Sequence, residues 1–276
     1  MPGPRPHEGV RRESAGGRGS AQARPGGRTR AASGARQAAP TEFTYTRTQS
    51  RSYVSGDGPF RYQEQSDTER WVRADGVVRT RSRITEVSFP TERDREAWRQ
   101  EGSPSLTSGW VDENGTGGAT ATRFAAIDLT SEVLTRESED PEQVAKQLQQ
   151  AGADYGDNPD INDRTFSLVA DLVTDPTLAA SARAAVFRAA SYLPGVSLAD
   201  KWTDPLGRRG SAIARTASVD AIRTELILET QTGELLGRRE VVARPTRDFA
   251  DVPVGTVLGW HSTIKSGVTP DSATRP

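Results

Sequence analysis

The sequence predicts an α+β fold: an antiparallel, curved, half-barrel-like sheet with helices 163–174 and 176–193 packed on one face. Three observations carry that reading. Alternating β-formers and Gly-marked turns occupy residues 41–89, helical periodicity takes over in the middle of the chain, and short strands between tight turns return from residue 196. Strands, then helices, then strands is the order of an α+β domain. The 276 residues divide into a disordered Arg/Gly-rich leader (1–40), a single domain (41–265) and a disordered tail (266–276).

The leader has no Val, Ile, Leu or aromatic residue except Val10, so burial cannot offset the entropy of ordering it. The net charge of -1 conceals an asymmetry, because residues 1–40 carry eight Arg against two Glu and leave the remainder acidic. Contact with anionic polymers is therefore a property the leader alone would have. Its Gly-Arg pairs resemble those of RNA-binding tails, but no aromatic residue is interleaved for base stacking, and nucleic acid is not the expected partner.

Along the domain, residues 43–54 alternate as a first strand, closed by the turn Gly56-Asp57-Gly58-Pro59. Strands 68–74 and 77–89 follow, joined by Asp75-Gly76, the dipeptide of a two-residue hairpin turn. That turn places Trp71 on the core face with Val78, Thr80 and Ile84. Arg70, Arg79, Arg81 and Arg83 then share the other face around Val72 and Val77. The stripe is read as a solvated face paired with nearby carboxylates, in preference to an anionic docking surface. A short charged helix fits 90–100, a long loop 101–120, an apolar stretch 124–129 and another helix from Asp140-Pro141 to about Gln150.

Phe166, Val169, Ala170 and Val173 have helical spacing, with Asn162 or Asp163 available as the cap. Pro176 opens the Ala-rich second helix, and Pro194-Gly195 ends it. Strands 196–203, 208–216, 222–229, 235–243 and 256–264 then form a meander with Gly-marked turns.

Chemistry is sparse. There is no cysteine, which excludes disulfides, thiolate catalysis and cysteine-bound metal. The two histidines, His7 and His261, are far apart, and His261 beside Trp260 reads as a satisfied polar side chain. Neither HExxH nor a nucleophile elbow is present, and Gly115-Thr116-Gly117-Gly118 lacks the Lys of a phosphate loop. The acidic run Asp154, Asp157, Asn158, Asp160, Asn162 and Asp163 does not match an EF-hand and reads as an Asx-rich turn before a capped helix. No catalytic residue, cofactor or metal site is predicted. Carboxylates alone can hydrolyse glycosidic bonds when two face each other across a cleft, so a carboxylate-dependent hydrolase is the alternative reading.

The runs 184–196 (Ala-Ala-Val-Phe-Arg-Ala-Ala-Ser-Tyr-Leu-Pro-Gly-Val), 203–208 (Thr-Asp-Pro-Leu-Gly-Arg) and 224–237 (ending Thr-Gly-Glu-Leu-Leu-Gly) resemble an actinobacterial family. Residues 44–51 and the Trp71 strand resemble the opening of the same domain, so the match covers about 43–245. Members commonly have an N-terminal membrane anchor and an exported C-terminal domain, and no reaction is established for them. Here leader residues stand where that anchor would end. The resemblance implies a cell-envelope location, and the chain as given would imply a cytoplasmic one. Membrane association would need the anchor.

At the level of fold, the element order is similar to LolA-like lipoprotein carriers and to sigma-regulatory sensor domains. The expected function is non-catalytic binding or sensing, with a lipid, a lipoprotein or an envelope protein as partner. In a carrier, Phe166, Val169, Val173 and Val186 would line a ligand cavity between helices and sheet. Otherwise the same four residues would be core.

Overall fold

The computed structural model of the chain describes residues 38–54, 58–116, 123–124, 127–229, 234–246, 249 and 252–276. Leader residues 1–37, the first half of the predicted turn at 56–59 and the Thr-Gly turn at 230–233 lie outside that set.

The chain begins with β1 (Phe43–Val54), β2 (Tyr62–Arg73) and β3 (Val77–Ser88), then helix α1 (Glu92–Gln100) and strand β4 (Val111–Thr116). A two-strand ladder, β5 (Arg123–Phe124) with β6 (Ile127–Asp128), leads into the helices. These are α2 (Ser131–Arg136), α3 (Pro141–Ala153), α4 (Ile161–Thr174) and α5 (Ala180–Ala190). Last come β7 (Val196–Thr203), β8 (Arg209–Thr216), β9 (Ile222–Leu228), β10 (Leu235–Val242) and β11 (Val257–Thr269).

Each group of strands is a meander, and β11 pairs antiparallel with β1 to join them. The result is an open, curved, nine-stranded sheet in the order β4-β3-β2-β1-β11-β10-β9-β8-β7. Because β4 and β7 are opposite edges, the chain between them must cross the sheet, and α2–α5 make that crossing on one face. The prediction of an antiparallel α+β fold is therefore met.

The core lies under the helices. Leu134, Val144, Leu148, Phe166, Leu168, Val169, Leu172, Val173 and Val186 pack with Ile213, Leu226, Leu228 and Leu235 from β8–β10. Burying each large aliphatic or aromatic side chain stabilises the fold by about 1.5–3 kcal/mol. α3 and α4 cross closely at Gly152, where a Cβ would come within 2.8 Å of Thr165 Cα. No helix among the described residues is long and apolar enough to cross a membrane.

Among the differences from the sequence reading, four have a local reason. The β2–β3 connection has three residues, because Val72 pairs with Val78 and the amide of Gly76 bonds Arg73 O at 2.9 Å. Gly76 takes φ +87° there, the left-handed residue that closes a three-residue hairpin. One residue of register exchanges the faces. Trp71 now lies opposite Arg79 on the face away from the helices, and Val72, Val78 and Thr80 point to the helix side.

The first central helix starts at Ile161, because Asp160 caps it by accepting from Asn162 N at 2.8 Å. The second starts at Ala180, four residues after Pro176. The Asp175 carboxylate bonds Thr177 N at 2.8 Å and its hydroxyl at 2.6 Å, holding the intervening residues in a turn. Finally, β11 runs on to Thr269, and residues 270–276, expected to be disordered, lie against the outer face of the sheet.

Candidate functional site

On the helix side the two halves of the sheet differ. Apolar side chains of β8–β10 meet the helices, whereas β1, β2, β3 and β11 present mainly hydroxyls, with Val72, Val78 and Ile84 among them. Directly paired residues share a face, so the register writes the surface out in rows. His261 pairs with Ser50, which pairs with Ser66; Thr263 pairs with Thr48, then Thr68 and Ser82; Ser266 pairs with Thr46, then Arg70 and Thr80. The Ser50 and Ser66 hydroxyls bond each other at 2.9 Å. Arg238 of β10 extends the first row, lying opposite His261.

A cleft of about 620 Å³ lies where this face meets the end of α4, within the size range of ligand sites. Ser50, Arg70, Thr174, Arg238, Glu240 and His261 supply its polar wall, and Ile222, Phe249 and Leu258 its apolar one. A smaller cleft, about 100 Å³, sits on the other side of the α4 terminus, between Val173, Arg183, Thr44, Thr46 and Ser266.

The larger cleft is positive overall, since among its described lining residues Arg51, Arg70 and Arg238 stand against the single carboxylate of Glu240. Arg238 Nη2 bonds Glu240 Oε1 at 2.6 Å, so that pair is internally neutral. His261 is held below its ordinary pKa by burial first and by the Arg238 charge second, and it is neutral at neutral pH. It therefore offers one donor and one acceptor. Among the described residues lining the cleft, Glu240 is the only carboxylate, so the facing pair a hydrolase needs is not supplied there. No group of three or more potential metal-ligating His, Cys, Asp or Glu side chains occurs among the described residues. What the cleft can do chemically is hold polar groups by hydrogen bonds beside an apolar contact.

The four residues singled out from sequence are not in this cleft. Phe166, Val169 and Val186 are packed in the helix–sheet core, at 4 %, 0 % and 0 % exposure. Val173 is also in that core, and touches the smaller cleft. The acidic run serves structure. Asp160 caps α4, and Asp163 bonds Arg215 Nε at 2.9 Å and Ser218 N at 2.8 Å.

Arg79, Arg81 and Arg83 of the predicted stripe are paired, as the solvated reading expects, whereas Arg70 lies on the opposite, helix-side face and lines the cleft. Arg79 and Arg81 bind Asp112, and Arg83 binds Asp67 at 2.7 Å. Arg81 and Arg83 also lie 5.0 and 4.8 Å from the Trp110 ring centre. The cleft itself was missed because it depends on β1 meeting β11, and no local pattern announces that pairing. The only available signal was the alternation of Thr and Ser at positions 44, 46, 48 and 50, which marks one hydroxyl face of a strand.

Fold and cleft together define an open antiparallel sheet, half covered by helices, with a ligand-sized cleft at the border. No protein-family model, curated protein or solved structure matches the chain.

Proposed function

We propose that the chain is a non-catalytic binding domain that holds a polar segment of a partner protein along the helix-side face of β1–β3 and β11. One group of that segment would anchor in the cleft beside Arg238 and His261. The observation that carries this reading is the set of hydroxyl rows running into a ligand-sized cleft on the half of the sheet that contributes nothing to the helix-covered core. Hydroxyls that donate and accept suit peptide groups, a neutral His beside the paired Arg238 and Glu240 adds directional hydrogen bonds, and Arg51 and Arg70 give the cleft a positive balance.

A lipid is less well served. The apolar positions a carrier would need, Phe166, Val169 and Val186, are occupied in packing the core. By the family resemblance, the partner would belong to the cell envelope.

The test is selection of binding peptides from a display library on the immobilised full chain, followed by calorimetric titration of the best one. Thr48→Arg and Ser66→Arg, each placing a long cation on the hydroxyl face, should weaken binding at least about tenfold, or roughly 1.4 kcal/mol. Wild-type affinity in both variants would overturn the assignment. So would a stoichiometric lipid recovered by organic extraction and seen on the intact chain by native mass spectrometry, which would restore a carrier role.

A further inference from the structure

The opposite face of the sheet carries a second, independent feature. Alternation along β2 turns Asp67, Glu69 and Trp71 outward, and Tyr45 of β1 lies directly across from Trp71. Trp71 and Tyr45 are almost fully buried, at 0 % and 1 %, and Glu69 at 4 %. The cover is the chain's own residues 270–276. Arg275 donates from Nε and Nη2 to the two oxygens of Glu69 at 2.5 and 2.6 Å, with its guanidinium 5.6 Å from the Trp71 ring centre. Trp71 Nε1 donates to the preceding carbonyl, Thr274 O, at 2.8 Å. Tyr45 OH donates to Glu69 Oε1 at 2.9 Å and holds that carboxylate in place. Arg79 Nη1 reaches Ser272 O at 2.9 Å.

These contacts are those of a recognition site. A carboxylate takes the planar fork of a guanidinium at two points, an aromatic ring lies under it, and an indole N–H reads the adjacent peptide carbonyl. Lysine, a point charge, matches the first feature poorly. The occupant is lightly held. Beyond Thr269 the segment belongs to no strand, and residues 273–276 are exposed. Lys265 Nζ also donates to Pro276 O at the surface. Ordering a residue costs about 1–2 kcal/mol of backbone entropy, so a strap held by these few contacts is poised to exchange.

We propose that the Glu69–Trp71–Tyr45 surface is a binding site for arginine-bearing peptide segments, and that residues 270–276 are its intramolecular occupant, displaced when such a segment arrives from another protein. The strap thereby sets a threshold. Only a segment presented at sufficient local concentration, or with additional contacts, replaces it.

The absence of native cysteine allows a direct experiment on the full chain. Ala273→Cys, labelled with a dye that Trp71 quenches, reports release of the strap. A synthetic peptide with the sequence of residues 271–276 should raise the emission saturably. The same peptide with citrulline in place of arginine should require at least about tenfold more, a difference of roughly 1.4 kcal/mol. This arm needs no change at the site itself. A second arm uses Arg275→Ala, checked for fold by circular dichroism, which should bind the arginine peptide more tightly than the wild-type chain because the competitor is weakened. Emission that stays flat at millimolar peptide, equal responses to the arginine and citrulline peptides, or unchanged affinity in folded Arg275→Ala would each overturn the proposal.

Discussion

At the level of single side chains, Asp163 ties three parts of the fold together. Its carboxylate takes Arg215 of β8 on one oxygen and Ser218 N and Oγ on the other, and Arg215 also donates to Pro194 O at 2.5 Å. Removing the nearer carboxylate leaves Arg215 with the more distant Asp160 at 3.6 Å, so Asp163→Ala should cost about 3 kcal/mol in urea unfolding. Gly195 is part of the same knot. It sits at φ +74°, and a Cβ there would come within 2.3 Å of Arg215 Nη1. The Leu-Pro-Gly-Val block on which the family resemblance partly rests thus has a structural reading of its own.

Sequence showed that the acidic run begins a capped helix. It did not show that Asp163 is matched by an arginine 52 residues further on, because side-chain pairing at that distance leaves no periodicity. Phe166 tests the core assignment. Phe166→Ala should destabilise by about 3–5 kcal/mol and leave peptide affinity at the hydroxyl face unchanged in protein that remains folded. Tyr45 gives the pH dependence. Burial, followed by its bond to Glu69, pushes its hydroxyl up from 10.0 to about 12. A raised pKa in the folded state stabilises the fold fully below the unfolded value and is lost as pH rises through the folded one. Stability should therefore fall between pH 10 and pH 12, a component that Tyr45→Phe removes in a series of alkaline melts.

At the level of elements, strand positions were legible and strand register was not. Residues 43–54 and 196–203 are strands with the boundaries that alternation and Gly-marked turns indicate. The β2–β3 hairpin was also located, though β2 begins at Tyr62 instead of residue 68, and an Asp-Gly pair serves a two-residue and a three-residue loop alike. The choice between them decides which face Trp71 occupies. Burial of Trp71, Glu69 and Asp67 together selects the longer loop, and that is a tertiary effect. Gly76 at φ +87° makes the register testable. Gly76→Ala places a Cβ in the left-handed region and should cost about 1–2 kcal/mol by urea denaturation. Strand β4 and helix α2 were not anticipated. The six residues of β4 are all exposed and include Asn114-Gly115, so no apolar alternation marks them. α2 has only six residues, too few for a periodic signal.

At the level of the whole molecule, two meanders are closed into one sheet by β1 and β11, whose paired residues run from Phe43↔Thr269 to Arg51↔Trp260. Fold class followed from element order, but this closure lies beyond any sequence window, and both proposed binding surfaces depend on it. One is the hydroxyl face with its cleft beside His261. The other is the outer arginine site, where residues that follow β11 return to β2. The proposed partners bind the β1–β3 and β11 half of the sheet, leaving the helix-covered half as scaffold. Hydrogen-exchange mass spectrometry of the full chain, with and without a display-selected peptide, tests it most directly. New protection is expected in residues 44–52 and 257–266, with exchange across α4 and α5 unchanged. Protection confined to α4 and α5 would contradict it and return the binding role to the helices.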